Sequence, residues 1–198
     1  MSKPEARGKR ARMFVALDLP KVVREEIGSW GEKELADPAL RRVEPESLHV
    51  TLAFLGNRPS SDIGPIAAVV RACGRPAPEI RLEGPEQRPL RGRARVFALP
   101  VRSAAVMAIQ ADLQAGLVRA GLHASDKQPF WPHVTVARVR DEGHGGRRPA
   151  LVANPPKTAP VQASFKAVRL TFYRSELQPR GARYVPLAQV ELPGTGQQ

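Results

Sequence analysis

Residues 48–56 read LHVTLAFLG and residues 132–138 read PHVTVAR, so the order His-Val-Thr occurs twice in the chain. Both stretches are apolar, alternate their side chains and contain β-branched residues, which predicts a strand in each. Successive side chains of a strand point to opposite faces, so three side chains of the first stretch are expected in a core: Val50, Leu52 and Phe54. The fold is therefore expected to form around two related strands.

The two predicted strands present matching polar groups on their other face. His49 and Thr51 share one face of the first strand, and His133 and Thr135 share one face of the second. If the two strands face each other, the gap between them holds two imidazoles that transfer protons and two hydroxyl donors. This combination of groups suits attack on a phosphodiester.

A third sequence of the same kind, His123-Ala124-Ser125, is interpreted as unrelated. It is followed by the polar residues 126–129 (DKQP), which do not read as a buried strand. A histidine in one such strand alone is most simply an ordinary residue with a satisfied hydrogen bond. The matched flanks of the other two sequences favour a functional pair.

Length, cysteine content and hydrophobicity indicate the class of protein. A chain of 198 residues with 42% apolar residues is expected to form one domain with a substantial core. Its single cysteine, Cys73, excludes an internal disulfide and predicts a reducing, cytoplasmic environment. The apolar runs are too short to cross a bilayer, and the basic N-terminus lacks the apolar segment of a secretory signal. We expect a cytoplasmic monomer without a membrane partner.

The chain is strongly basic. It has 31 Lys and Arg residues against 19 Asp and Glu residues, which gives a net charge of +12. This excess favours a polyanionic partner, and nucleic acid is the first candidate. Because Arg, Ala, Pro and Gly are all abundant, part of the excess can also reflect genomic composition.

The hydrophobic pattern predicts helices that alternate with strands. The predicted helices cover residues 20–35, 60–73 and 103–120, and the predicted strands cover residues 13–17, 48–55, 79–82, 95–101, 133–138, 163–174 and 183–190. Each helix is apolar on one side, so the helices are expected to cover sheets. A strand, a helix and a motif strand follow one another twice, which predicts an α+β fold of two similar lobes.

The remaining segments are expected to be irregular. Residues 1–11 are predicted to form a disordered basic arm, residues 12–192 a single bilobal domain and residues 193–198 a loose tail. Residues 141–160 are rich in Gly, Arg and Pro and show no periodicity, which predicts a mobile surface loop.

With both motif strands placed, the chain resembles the 2H phosphoesterase superfamily. Within it, the chain most resembles the bacterial and archaeal RNA 2′,3′-cyclic phosphodiesterases, once called 2′-5′ RNA ligases. The matching segments span nearly the whole chain: residues 12–17, 48–56, 95–97, 132–138 and 170–184. The resemblance implies two pseudo-symmetric lobes of antiparallel sheet, helices on the outside and a central groove lined by both motifs. It also implies hydrolysis without a metal ion or a nucleotide cofactor.

The same resemblance implies roles for the residues of the two motifs. A 2′,3′-cyclic phosphate needs a proton on its leaving ribose oxygen and a deprotonated water for in-line attack. Two imidazoles fit, because a pKa of about 6.5 allows one to be charged while the other is neutral. The resemblance implies that His49 is the acid and His133 the base. Thr51 and Thr135 are expected to donate hydrogen bonds to the non-bridging phosphate oxygens.

Three further residues near the second motif are candidate contacts. Arg138 matches a basic residue of the family and is expected to bind phosphate, yet it lies five residues after His133, so strand alternation turns it away. Either a bend in the strand or the length of the side chain must bring it back. Phe130 and Trp131 are candidates for stacking on a nucleobase, with core packing as the alternative. No zinc site is expected, because His49 and His133 lack acidic or thiol partners at ligand spacing.

The sequence therefore predicts metal-independent hydrolysis of RNA 2′,3′-cyclic phosphate ends, or of cyclic nucleotides, to 2′-phosphomonoesters. Two alternatives stay open. One is cleavage of 2′-5′ phosphodiesters or reversible 2′-5′ ligation in the same groove. The other is a module that binds nucleotides or RNA without turnover.

Overall fold

A computed structural model describes residues 10–124, 128–142, 148–160, 164–178 and 181–194. The described residues form ten strands, three α-helices and two short 3₁₀-helices. The strands are β1 (Arg10–Asp18), β2 (Leu40–Arg42), β3 (His49–Pro59), β4 (Glu79–Leu82), β5 (Glu86–Arg88), β6 (Val96–Arg102), β7 (His133–Val139), β8 (Ser164–Lys166), β9 (Arg169–Gln178) and β10 (Gly181–Glu191). The α-helices are α1 (Lys21–Glu34), α2 (Ile63–Ala72) and α3 (Ala104–Arg119).

The strands pair in the order β10-β9-β1-β3-β7-β6-β4-β8, and the pairs are antiparallel. Strands β2 and β5 lie off this path and pair with β7 and β6. The two motif strands, β3 and β7, meet in the middle through the single pair Val50↔Val134. Each motif strand lies beside the strand that precedes a helix, β1 before α1 and β6 before α3. This arrangement confirms the predicted α+β fold of two similar antiparallel lobes.

One face of the sheet forms a single hydrophobic core with the helices. Val50 and Val134 are fully buried at the junction of the lobes, and the apolar stripe of α3 is buried against the sheet. Burying a side chain of this size contributes about 1.5–3 kcal/mol. Ser103 accepts a hydrogen bond from the backbone N–H of Val106 at 3.3 Å and is therefore the N-cap of α3. The core therefore fixes the opposite face of β3 and β7 as the face that carries the motif side chains.

A β-bulge interrupts the alternation of β3. Ala16 of β1 pairs with Thr51 and Val15 pairs with Ala53, so the residue between Thr51 and Ala53 has no partner in β1. The consecutive residues Leu52 and Ala53 are both buried, and the alternation reverses after them. Phe54 is consequently 51% exposed on the histidine face. The prediction that Phe54 points into the core was wrong for this reason.

Strand β7 contains the same irregularity at the same place in its motif. Ala98 pairs with Thr135 and Phe97 pairs with Ala137, so Val136 is the extra residue. Both Val136 and Ala137 are buried, and Arg138 is exposed. The bulge therefore supplies the bend that returns Arg138 to the face of the second histidine.

Several predicted boundaries differ from the structure. Strand β3 continues to Pro59, beyond the predicted end at residue 55, with Gly56 at a φ of 70°. The strand predicted at residues 163–174 is two strands, β8 and β9, and residue 163 lies outside the described residues. Residues 10 and 11, assigned to the disordered arm, belong to β1. The rest of the arm, and residues 195–198 of the tail, lie outside the described residues.

Part of the segment predicted as a mobile loop, residues 148–160, is bound to helix α1 and to the residues that follow this helix. The side chain of Glu34 accepts hydrogen bonds from the backbone N–H groups of Lys157 and Thr158 at 2.9 and 3.1 Å. The indole of Trp30 donates to the carbonyl oxygen of Thr158 at 3.0 Å, and Asp37 accepts from the N–H of Asn154 at 2.9 Å. The prediction of a loose loop was wrong for this part, because backbone groups of the segment are bound by side chains far away in sequence. Residues 143–147 lie outside the described residues.

Within the described ranges, the structure contains no helix with the length and apolar character needed to span a membrane.

Candidate active site

A cavity of about 570 Å³ lies across the junction of the two motif strands. The polar side chains predicted for the two strands line it together: His49, Thr51, His133, Thr135 and Arg138. The structure thus brings both motifs to one cavity, as the sequence predicted.

Each of the two histidine rings is held by a hydrogen bond from its Nδ1 to a backbone carbonyl oxygen. The Nδ1 of His49 lies 2.7 Å from the carbonyl oxygen of Ser47, and the Nδ1 of His133 lies 2.8 Å from the carbonyl oxygen of Trp131. A carbonyl oxygen only accepts, so each Nδ1 carries the hydrogen and donates it. Nε2 is therefore the nitrogen that gains or loses a proton in each ring.

The Nε2 of His49 also lies 3.1 Å from the hydroxyl oxygen of Thr51. In the neutral ring, the Thr51 hydroxyl donates to Nε2, and in the protonated ring Nε2–H donates to the hydroxyl oxygen. This contact holds the reactive nitrogen of His49 beside a group that also reaches the cavity.

The surroundings favour neutral histidines in the protein without a ligand. Burial is the main cause that lowers the pKa of His49, and the charges of His133 and Arg138 lower it further. Burial likewise lowers the pKa of His133, together with the charges of Arg88 and Arg138. The negative charge of Asp18 acts in the opposite direction, and it raises the pKa of His49 alone. Asp18 therefore distinguishes the electrostatic surroundings of His49 from those of His133.

Asp18 is a buried charged residue beside His49 that the sequence analysis missed. It is only 9% exposed and pairs with His49 across β1 and β3. Its carboxylate accepts hydrogen bonds from the Arg169 guanidinium at 2.7 Å, the Thr171 hydroxyl at 2.9 Å and the Tyr173 hydroxyl at 2.7 Å. A charged residue at the end of a buried strand needs partners, and this was the available signal. The partners lie more than 150 residues away, so the sequence could not identify them.

Aromatic rings fix the orientation of both imidazoles. Phe14 stacks on His49 with ring centres 5.0 Å apart, and Tyr184 makes a T-shaped contact with the same ring, with centres 5.3 Å apart. Trp131 stacks on His133 at 4.1 Å, and the Arg88 guanidinium lies 3.9 Å from the centre of the Trp131 ring. Two planar groups this close to one ring centre cannot share a face, so His133 and Arg88 cover both faces of Trp131.

This position does not favour the base contact predicted for Trp131. Both faces of its ring are occupied, and neither Trp131 nor Phe130 lines the cavity. Phe130 is partly buried and packs against the hydrophobic core. The exposed aromatic ring of the cavity is Phe54, whose side chain lies 5.2 Å from the Arg12 guanidinium.

The cavity is rich in arginine. Arg41 and Arg42 come from β2, which pairs with β7 so that Arg41 lies opposite Arg138. Arg12 comes from β1, and Glu44 is the acidic residue of the lining. The sequence analysis missed β2 because it has only three residues and no alternation of its own. This excess of guanidinium groups suits an anionic ligand.

Over the residues that the structure describes, no group of three or more His, Cys, Asp or Glu side chains is arranged to hold a metal ion.

Comparison with known proteins gives consistent matches. A family model described as the 2′-5′ RNA ligase superfamily matches residues 19–179. An RNA 2′,3′-cyclic phosphodiesterase of Escherichia coli (strain K12) is 28% identical over 187 residues, which cover 94% of this chain and 96% of that protein. A protein of the same name from Thermus thermophilus is 29% identical over 193 residues, which cover 92% and 91%.

Solved structures show the same fold. The crystal structure of TT0787 of Thermus thermophilus matches with a TM-score of 0.74 and 28% identity, over 93% of this chain and 100% of that one. The crystal structure of E. coli LigT complexed with 3′-AMP matches with a TM-score of 0.75 and 28% identity, over 93% and 99%. With the paired histidine motifs and the match to the family model over most of its length, the chain belongs to the 2′-5′ RNA ligase superfamily, the 2H phosphoesterases.

Proposed function

We propose that the protein hydrolyses the 2′,3′-cyclic phosphate at the end of an RNA strand to a 2′-phosphomonoester, and that it does so without a metal ion. The observation that carries the proposal is the pair of imidazoles on one arginine-rich cavity, each with Nδ1 bound to a carbonyl oxygen and Nε2 left for proton transfer. The names of the relatives, RNA 2′,3′-cyclic phosphodiesterases, support the same substrate.

The reaction needs one proton acceptor and one proton donor on opposite sides of phosphorus. The Nε2 of His133 takes a proton from water, and the water oxygen forms the new bond to phosphorus. The bond from phosphorus to the 3′-oxygen breaks, and that oxygen takes the proton of Nε2 of His49. Each such proton transfer typically contributes about 10²–10⁴-fold to the rate.

Asp18 is the reason to place the acid at His49. Its charge raises the pKa of His49 and has no counterpart among the causes that act on His133. The Asp18 charge therefore favours the protonated form of His49, whereas the Arg88 charge acts on His133 and favours its neutral form, which can accept a proton.

The hydroxyl and guanidinium groups stabilise the charge that develops on the phosphate. Thr51 and Thr135 lie on the same face as the histidines and line the same cavity, so their hydroxyls donate to the non-bridging oxygens. Arg138, returned to this face by the bulge in β7, binds the phosphate through two parallel N–H groups.

Formation or cleavage of a 2′-5′ linkage is a second candidate, and the description of the matching family model favours it. In ligation, a 5′-hydroxyl would replace water as the nucleophile, so His133 would take its proton and His49 would protonate the leaving 3′-oxygen. Cleavage of a 2′-5′ linkage is the reverse: His49 would take the proton of the attacking 3′-hydroxyl, and His133 would protonate the leaving 5′-oxygen. A module that binds RNA without turnover is a third candidate, and it predicts no product at all.

Product analysis separates these candidates. The protein is incubated with an RNA oligonucleotide that ends in a 2′,3′-cyclic phosphate, in the presence of EDTA, and the products are resolved by chromatography against 2′- and 3′-phosphate standards. We expect the 2′-phosphate as the product. A 3′-phosphate would contradict the proposed leaving group, a longer 2′-5′-linked product would favour ligation, and no product in EDTA would contradict metal-independent hydrolysis.

A further inference from the structure

A second cavity, of about 300 Å³, adjoins the first. The two cavities share three residues of their linings: Ser47, His49 and Tyr184. His49 therefore stands at the boundary between the two cavities. Whatever is attached to the reacting ribose can continue into this space.

The lining of the second cavity contains three arginines: Arg24, Arg169 and Arg183. Arg169 is already bound to the carboxylates of Asp18 and Glu191, at 2.7 and 3.5 Å. The Nε of Arg24 is buried and has no hydrogen-bond partner among the described residues. A buried charged donor without an acceptor is costly, so the Arg24 guanidinium favours an anion in the cavity that it lines.

Arg183 lies on the solvent side of the same space. Its side chain is exposed on β10, while Arg24 lies on α1 and is half-buried. The acidic side chain that remains in this lining is Glu46, which is exposed. Asp18 is paired with Arg169, so the remaining charged groups of the lining are Arg24 and Arg183 against Glu46, which favours an anion.

The aromatic rings of this cavity favour a phosphate over a nucleobase. Tyr173 stacks on Phe14 with ring centres 5.2 Å apart, and its hydroxyl is bound to Asp18. Tyr184 makes T-shaped contacts with Phe14 and His49, with ring centres 4.9 and 5.3 Å apart. Stacking contacts within the protein already engage both rings, whereas the arginine donor of Arg24 is still without an acceptor.

The geometry points to a subsite for the phosphodiester on the 5′ side of the terminal nucleotide, bound by Arg24 and Arg183. This inference rests on the proposed function and extends it. The preferred substrate is an RNA strand whose last two phosphates occupy the two cavities, rather than a cyclic mononucleotide.

The test compares kcat/KM for three substrates: 2′,3′-cyclic AMP, the dinucleotide ApA with a 2′,3′-cyclic phosphate, and the same dinucleotide with an uncharged methylphosphonate linkage. We expect the charged dinucleotide to exceed cyclic AMP by about tenfold or more, the effect of about one charge-assisted hydrogen bond. The methylphosphonate dinucleotide is expected to lose this preference, because it keeps both bases and removes only the linking charge.

Variants then assign the preference to residues. Arg24→Gln and Arg183→Gln should each bring the ratio of kcat/KM for the charged dinucleotide and cyclic AMP towards one. The matched control is Arg71→Gln, an exposed arginine on α2 that lines neither cavity, and it should keep the wild-type ratio.

The outcomes are distinct. A wild-type protein that turns over cyclic AMP and the charged dinucleotide equally well would overturn the subsite. A methylphosphonate dinucleotide that is preferred as strongly as the charged one would assign the preference to a base instead, and would overturn it too. Failure to turn over any of the three substrates would contradict the proposed function itself. The substrate comparison uses the wild-type protein, so it decides the question even if a variant does not fold.

Discussion

Phe54 and Arg138 are structural equivalents, each five residues after a cavity histidine and each turned to the cavity by a β-bulge. Strand alternation alone would direct both side chains into the core. The bulges reverse the alternation between Thr51 and Phe54 in β3, and between Thr135 and Arg138 in β7. The two lobes thus share a backbone device that places an aromatic ring on one side of the cavity and a guanidinium on the other.

Loss of the Arg138 guanidinium should weaken transition-state binding. We expect Arg138→Gln to lower kcat/KM for 2′,3′-cyclic AMP by about 10- to 100-fold, the effect of losing hydrogen bonds from a charged donor. Arg138→Lys should restore only part of the loss, because an ammonium group does not make two parallel bonds. The control is Arg140→Gln, an exposed arginine just beyond β7 that does not line the cavity. Equal kinetics for Arg138→Gln and Arg140→Gln would exclude the phosphate contact.

Asp18 should set the pH at which His49 loses its catalytic proton. Asp18→Asn removes the charge that raises the pKa of His49 and leaves burial and the Arg138 charge to lower it. The acid must be protonated to act, so the falling, high-pH limb of the profile of kcat/KM against pH should move to lower pH. A thermal melt of the variant checks the fold, because the substitution also weakens the pair with Arg169. A high-pH limb that does not move would contradict the assignment of His49 as the acid.

Arg88 should affect the low-pH limb of the profile of kcat/KM against pH. Burial is the main cause of the lowered pKa of His133, and the Arg88 charge adds to it. In Arg88→Gln the pKa of His133 should rise, so a higher pH is needed to deprotonate the base and the rising, low-pH limb should move to higher pH. Asp18→Asn serves as the matched control, because it changes the other limb. If Arg88→Gln moved only the high-pH limb, the roles of the two histidines would be exchanged.

The free energy of unfolding should depend on the two histidines below neutral pH. Burial lowers both pKa values in the folded protein, so the unfolded chain binds more protons once the pH falls below about 6.5. The stabilisation is present above that pH and is lost as the pH falls towards the folded pKa values, by at most about 1.4 kcal/mol per pH unit for each histidine.

Denaturant unfolding between about pH 7.5 and about pH 5 measures this dependence, above the range where carboxylates titrate. The double variant His49→Gln/His133→Gln should lose stability less steeply over the same range. An identical slope in the wild-type protein and the double variant would show that the buried rings are not the cause.

The sequence predicted the parts of the site that depend on local order. His49 and Thr51, like His133 and Thr135, share a face because they are two residues apart on a strand, and the structure confirms that both pairs line one cavity. The bulges were not predictable, because an extra residue such as Val136 is an ordinary buried apolar residue in the pattern. Its effect on the side chains that follow appears only when the strand is paired.

Other features depend on distant partners. Asp18 is a charge at the end of an apolar strand, and only folding brings the strand that carries Arg169 and Thr171 beside it. Strands β2 and β5 have three residues each and take their strand conformation from pairing with β7 and β6, not from their own sequence. The fold class needed only the order of helices and strands, whereas these details needed the tertiary structure.

The most direct test of the paired-histidine mechanism is the turnover of 2′,3′-cyclic AMP in the presence of EDTA by the wild-type protein, His49→Ala and His133→Ala. We predict that the wild-type protein forms 2′-AMP at an undiminished rate in EDTA, and that each folded variant loses at least about 10²-fold in kcat/KM. Full turnover by either variant, or loss of wild-type turnover in EDTA, would contradict it.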